Sequence, residues 1–331
     1  MESDESRIEL VQTDQATALE MLAQQNYDST SAAVAYQNIA AQLWPHLRAL
    51  EYTTGTLLAV GADADLLAGA SPDGPRPADT IDGYEDGLFL TARMPSAGLL
   101  PRHGLRLRPM GTREAGTADL ALADLPLADT RALTRSTRNR LAAEHSAIIG
   151  DVLAWLRPGG LLVTTAHHQL LEGVATQPRR SIAGHADLVG AVRLPAAALR
   201  RAPLLDSPVD LLLLRRREPG QPPAGLDFID RSLVHVHDAP DMLINDCYAT
   251  APWAVLGNIV PDPIDSETTT VAPIGGDFGR LLSQALATHT DIAIDDRLYA
   301  QQRTPAAGTP QRAPQQDAPP VPGTGYAGPT L

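Results

Sequence analysis

Residues 119–131 read DLALADLPLADTR, an apolar run that leads straight into Asp124-Leu125-Pro126-Leu127. An acid and a turn-stiffening proline therefore stand where a buried strand would come to the surface. Two further features precede them. The stretch LAVGADADLL (58–67) places Gly61 directly after an apolar strand, and Asp82 lies 21 positions beyond Gly61. A glycine turn after a strand lets backbone amides approach a nucleotide-like cofactor closely, and an acid about 20 residues on can accept hydrogen bonds from ribose hydroxyls. In doubly wound folds ligands bind outside the carboxyl ends of the strands, where all three features are expected to fall.

Other chemistry-bearing residues give weaker patterns. His167-His168 ends a strand at the rim of the expected cleft, where a polar terminus or a substrate contact would both fit. His235, His237 and Asp238 are too few for a metal centre, because no third well-spaced ligand accompanies the histidines, and no metal is expected. His145 and Ser146 sit on a predicted helix without the glycine elbow of a hydrolase nucleophile. GTGYAG near the C-terminus follows no strand, so it is not a phosphate loop.

The elements that must position these residues alternate. Helices are expected at 5–24 and 31–50, with Pro45 kinking the second or marking its last turn. A strand at 56–60 is followed by a turn and a short helix. A second strand ends near Asp82 and gives way to a helix through about Met94, and a short strand covers 104–110. After the strand leading to Asp124 come a helix from about 139 to 156, stopped by Pro158-Gly159-Gly160, and a strand at 161–166. A helix at 179–190 and strands in GAVRLP and VDLLLLRRR complete the pattern, which specifies an α/β doubly wound domain. The expected organisation is an N-terminal helical extension (1–50), the α/β domain (51–217), a small C-terminal appendage (218–300) with a helix at 277–289, and a Pro-rich disordered tail (301–331).

Among 331 residues there is one cysteine, which excludes an internal disulfide framework, and there are no lysines. No apolar run is long enough to span a membrane and the first residues are acidic, so a soluble cytoplasmic protein is expected. The net charge of −13 is unevenly spread. Residues 1–92 carry 3 Arg against 15 acids, residues 93–217 carry 18 Arg against 10, and residues 218–331 carry 5 Arg against 14. A basic middle third could face nucleic acid. Arg131, Arg135 and Arg138, just after the Asp124 loop, are the expected phosphate contacts. Arg140, Arg179-Arg180 and Arg200-Arg201 could serve likewise or simply face water, and Arg215–217 end a strand and are expected to cap it.

The order and spacing of these features resemble the S-adenosylmethionine-dependent N6-adenine DNA methyltransferases, in particular the methylase-like domains of helicase–methylase and antirestriction proteins. The resemblance covers roughly residues 30–290. LAVGADADLL stands where the family runs L-E-P-G-C-G-S-G-N-F, IDGYE (81–85) where it has V-E-L-D-P, and DLPL (124–127) where it has N-[PV]-P-F. LRPGGLLVTTAHH and the stretch from HADLVGAVRLP to VDLLLLRRREPG are similar to family sequence over a length not generic to the fold.

This resemblance implies a Rossmann-like methyltransferase fold. It assigns cofactor contacts to Gly61, Asp63 and Asp82, and the catalytic loop to Asp124, Pro126 and Leu127. In such an enzyme the loop's acid oxygen and adjacent carbonyl accept hydrogen bonds from the target amino group, and an aromatic stacks on a base flipped from the helix. Here Leu127 has no π face, Asp63 and Asp65 replace two family glycines, and Ala59 replaces the loop's acid. The implication is a degenerate methylase-like protein that binds DNA or a larger helicase or modification subunit. An active S-adenosylmethionine-dependent adenine methyltransferase and a non-catalytic scaffold remain the alternatives.

Overall fold

A computed structural model describes residues 29–52, 55–61, 64–67, 84–90, 116–125, 127, 133–195, 198–199, 207–235, 241–262, 269–274 and 277–300. Residues 1–300 form one compact unit, and 301–331 form a second that lies outside the described residues. The expected helix at 5–24 and strand at 104–110 also lie outside them.

Six strands make the central sheet: β1 (Gly55–Val60), β2 (Tyr84–Leu90), β3 (Ala118–Asp124), β4 (Leu156–His167), β5 (Ala186–Leu194) and β6 (Val209–Arg216), in the order β2-β1-β3-β4-β6-β5. β2, β1, β3 and β4 are parallel, and β6 runs antiparallel to both β4 and β5. The sheet is therefore parallel except for one reversed strand inserted before its edge. β3 and β5 are buried along their whole length, as strands covered on both faces must be, which is why they read as near-continuous apolar runs.

Alternation along the strands divides the core into two layers. One face carries Leu57, Leu120, Leu122, Leu161, Val163, Val192, Leu211 and Leu213. It is covered by α1 (Ser29–Ala49), which buries Tyr36, Ile39, Ala40, Leu43, Trp44 and Leu47 at helical spacing, and by α7 (Phe278–Asp295). The opposite face carries Leu58, Val60, Ala121, Ala123, Leu162, Leu212 and Leu214. Against it lie α3 (Arg135–Trp155), with Ile149, Val152 and Leu153, and α5 (Gln177–Ala183), with Ile182. α2 (Ala64–Leu67) and α4 (Gln169–Glu172) are single turns at the ends of β1 and β4.

Local chemistry sets the helix ends. Thr134 caps α3 by accepting from the Thr137 amide, and Asp277 caps α7 by accepting from Gly279 and Arg280. Pro45 lies inside the last turns of α1. Beyond β6, the hairpin β7 (Arg231–Val234) and β8 (Met242–Asn245) is followed by α6 (Asp246–Ala249) and by the hairpin β9 (Gly257–Pro261) and β10 (Thr269–Pro273). This segment is tied back by bridges Leu188↔Leu226 and Arg193↔Val255 and by the Ala300 amide donating to Leu50 O at 2.9 Å.

Three expectations are corrected. β2 occupies residues read as a helix, because parallel pairing from Gly55↔Tyr84 to Val60↔Leu90 outweighs the polar local sequence, while the strand expected to end near Asp82 lies outside the described residues. Residues 186–190 belong to β5, because a strand buried on both faces gives no alternation to read. Pro158-Gly159-Gly160 lies within β4, where the pairing jumps from Ala118↔Leu156 to Leu120↔Leu161. The surplus residues form a bulge, with Gly159 at φ +77° and its carbonyl accepting from Tyr52 Oη at 2.8 Å. Among the described residues no helix is long and apolar enough to cross a membrane.

Candidate functional site

The carboxyl ends of β1, β3 and β4 and the start of β6 share one edge of the sheet, through the pairs Val60↔Ala123, Asp124↔Thr165 and His167↔Val209. Gly61, Asp124 and His167-His168 are thereby brought together. Asp63, Asp82, Pro126 and Arg131 lie outside the described residues.

Gly61 adopts φ +104°, a conformation that favours glycine, and a Cβ there would stand 2.1 Å from the backbone oxygen of Asp124. The room that this glycine makes is thus filled by the end of β3. Asp124 is on the same face of β3 as Leu120 and Leu122, so its carboxyl group turns beneath α1 and not outward over the sheet edge. It is 4% exposed. Its Oδ1 accepts from Tyr36 Oη and from Thr165 Oγ1, the latter at 2.9 Å. Leu127 is buried in the same α1-facing layer. The candidate catalytic acid and the residue at the aromatic position are both core groups.

Arg135 and Arg138 lie in the first turns of α3, Arg135 exposed and Arg138 half-buried. Both follow the Asp124 loop at the start of the helix that leaves the carboxyl end of β3. His168 is buried. Its Nδ1 lies 3.1 Å from Pro208 O and its Nε2 3.0 Å from Gln169 Nε2, a pairing satisfied by a neutral ring donating to the carbonyl and accepting from the amide. Burial, reinforced by the neighbouring His167, Arg193 and Arg138, pushes its pKa well below the ordinary value. His167 receives the Gln169 amide at Nδ1, and its own amide donates to His145 Nδ1. The histidine pair is a tied polar strand terminus.

A buried ionic cluster next to this edge is absent from the sequence reading. Arg193 donates to Asp210 through Nε (2.8 Å) and Nη2 (3.0 Å) and to Glu172 through Nη1 (2.5 Å), and its guanidinium lies 4.2 Å from the centre of the Tyr248 ring. Glu172 also accepts from the Asn245 amide, which fastens β8 to α4. A signal existed: one arginine in GAVRL and one acid in VDLLLL interrupt apolar runs, and the two are direct register partners.

Most arginines of the basic middle third that the structure describes are spent internally. Arg157 pairs with Asp119 and Arg217 with Asp187. Arg179 donates to the carbonyls of Ile229, Gly173 and Leu170, and Arg216 to those of Ala154 and Leu156. Arg215 is buried. Among the described residues much of the positive charge is thus internal, Arg179 is corrected to a structural role, and Arg215–217 serve the end of their strand. Ser146 donates to Pro178 O and His145 is buried, so neither forms a hydrolase centre. His235 contacts Asp241 at 2.9 Å, exposed to solvent, and among the described residues no group of three or more ligating side chains could hold a metal.

No protein-family model matches the chain, and neither does any curated protein. Among solved structures it is similar to a Listeria monocytogenes protein assigned to the class I S-adenosylmethionine-dependent methyltransferases, at 12% identity and TM-score 0.33 over 56% of this chain and 62% of that one. It thus spans less than two thirds of that relative's length. It is also similar to a 16S rRNA (adenine(1408)-N(1))-methyltransferase from Catenulisporales acidiphilia (11% identity, TM-score 0.26, 54% of this chain and 94% of that one). A third is the antibiotic-resistance methyltransferase Kmr (16%, TM-score 0.27, 54% and 93%). Overlap this partial assigns neither reaction nor substrate.

Proposed function

We propose that this chain is a DNA adenine methyltransferase-like protein that has lost methyl transfer and acts as a DNA-binding module, alone or beside a larger modification subunit. One observation carries the reading: the carboxyl group of Asp124 lies under α1, with Tyr36 and Thr165 hydrogen-bonded to it. Amino methylation needs an acceptor oxygen facing the target N–H₂, held in line with the methyl donor. It also benefits from a ring to hold the flipped base. Asp124 is turned into the core, and Leu127 packs there too.

The described residues do not fit S-adenosylmethionine well. In a doubly wound fold the first glycine makes the tight turn, which Gly61 does against the end of β3, and the next glycine lets the ligand approach, where this sequence has Asp63. No chemical step is routed through a cofactor here. Arg135 and Arg138, with Arg131 adjoining in sequence, are the proposed phosphate contacts, since they open the helix that follows the Asp124 loop.

Gel-shift titration against duplex and single-stranded DNA over a range of salt tests the binding half of the proposal. Affinity should fall steeply with salt, and reversal of the three arginines to glutamate should reduce the log–log slope by about 2–3. A flat salt response, or binding untouched by the triple reversal, would contradict it. Incubation with labelled methyl donor and adenine-containing DNA should leave the DNA unlabelled.

A further inference from the structure

We infer that Tyr36 occupies, from inside the protein, the position at which an acceptor amino group would meet Asp124. This rests on the non-catalytic reading above and adds its physical cause: the acceptor position is closed by the chain's own helix, separately from any defect in the cofactor loop.

The argument begins with direction. Asp124 shares the face of Leu120 and Leu122, so its carboxyl group points into the layer that α1 fills. Tyr36 is fully buried one helical turn before Ile39 and Ala40, which pack in that layer with Leu127. The phenol O–H donates to Asp124 Oδ1. An aromatic ring carrying one polar hydrogen thus meets the loop acid. A nucleobase with an exocyclic amino group presents the same two elements, a flat ring and an N–H donor. Thr165 Oγ1 holds the same oxygen from β4 and fixes its orientation. Tyr36 belongs to a helix whose whole inward stripe is in the core, so the contact is part of the fold and not a mobile lid.

Removing the ring should uncover a site for a small aromatic amine. Tyr36→Ala leaves a ring-sized space lined by apolar groups with one carboxyl oxygen, the kind of cavity that takes up benzene-like molecules. Tyr36→Phe keeps the ring and removes only the donor. The probes are aniline and toluene, which share a shape and differ in the N–H₂. In thermal-shift titrations of the full chain, millimolar aniline should raise the melting temperature of Tyr36→Ala by several degrees and toluene by much less. Wild type and Tyr36→Phe should respond to neither, and Asp124→Ala placed on Tyr36→Ala should abolish the preference for aniline.

Equal stabilisation by both probes, or uptake of aniline by wild type, would overturn the inference. If Tyr36→Ala does not fold alone, the yield of soluble protein refolded with aniline against toluene reads the same preference. Methyl-donor binding by wild type would sink the non-catalytic reading while leaving the aniline result to stand or fall by itself.

Discussion

Gly61 and Leu127 show how the same residue types can serve catalysis or packing, depending on what they touch. Gly61 has the positive φ of a ligand-facing turn, yet its open side abuts the Asp124 carbonyl. Gly61→Ala combines a strained φ with a backbone clash and should destabilise the fold by about 2 kcal/mol or more, measured by chemical denaturation. Leu127 is 4% exposed among core residues. Leu127→Ala should therefore cost about 2–4 kcal/mol. Leu127→Phe, which supplies the aromatic that an amino methylase would use, should cost about 1–3 kcal/mol through overpacking and add no affinity for DNA. Tighter binding of single-stranded DNA by Leu127→Phe would show that the position faces a base. Asp124 and Gly61 could be picked out from the sequence because a glycine and an acid at strand ends are local signals. The burial of Asp124 could not, since it depends on Tyr36, which lies 88 residues away in the chain.

Elements meet around a buried charge cluster whose members interrupt apolar runs of the sequence. Arg193 of β5 and Asp210 of β6 are antiparallel partners, and Glu172 of α4 joins them while holding the Asn245 amide of β8. Breaking it from one side leaves an uncompensated buried charge, so Asp210→Ala or Arg193→Ala should cost about 3–5 kcal/mol. Replacing the whole triad, Arg193→Met with Asp210→Leu and Glu172→Gln, should recover much of that loss. A triple variant as unstable as the sum of the singles would contradict this account. The strands around the cluster illustrate what sequence conveys. β3, β4 and β6 were readable as apolar runs bounded by polar residues. β2 and the first half of β5 were not, because pairing with neighbours decides them and neither alternation nor propensity does. The bulge at Pro158-Gly159-Gly160 looked like a helix stop since those residues break regular structure of either kind.

Over the whole molecule, the buried His168 and His289 among the described residues couple stability to pH. Burial holds His168 well below its ordinary value and lowers His289 of α7 to about 4, with only the Ala191 carbonyl opposing. Both are neutral in the folded protein, and the unfolded chain takes up protons more readily. Stability from His289 is therefore complete above about pH 6.5 and is lost as pH falls from there through about 4, and that from His168 is likewise lost on the acid side. His289 alone accounts for roughly 3 kcal/mol of that loss. His289→Gln should flatten the acid side of the stability–pH profile between those limits; an unchanged profile would exclude His289 as its source.

The same scale holds the claim that matters most for function. A doubly wound sheet gives a site at its carboxyl edge, and in this chain the acid at that edge is turned into the core against Tyr36 while Asp63 and Asp65 stand where a methylase-like loop has glycines. Calorimetric titration of the full chain with S-adenosylmethionine tests this most directly. No saturable heat of binding up to millimolar cofactor is the predicted result. Stoichiometric binding at micromolar concentration would contradict it.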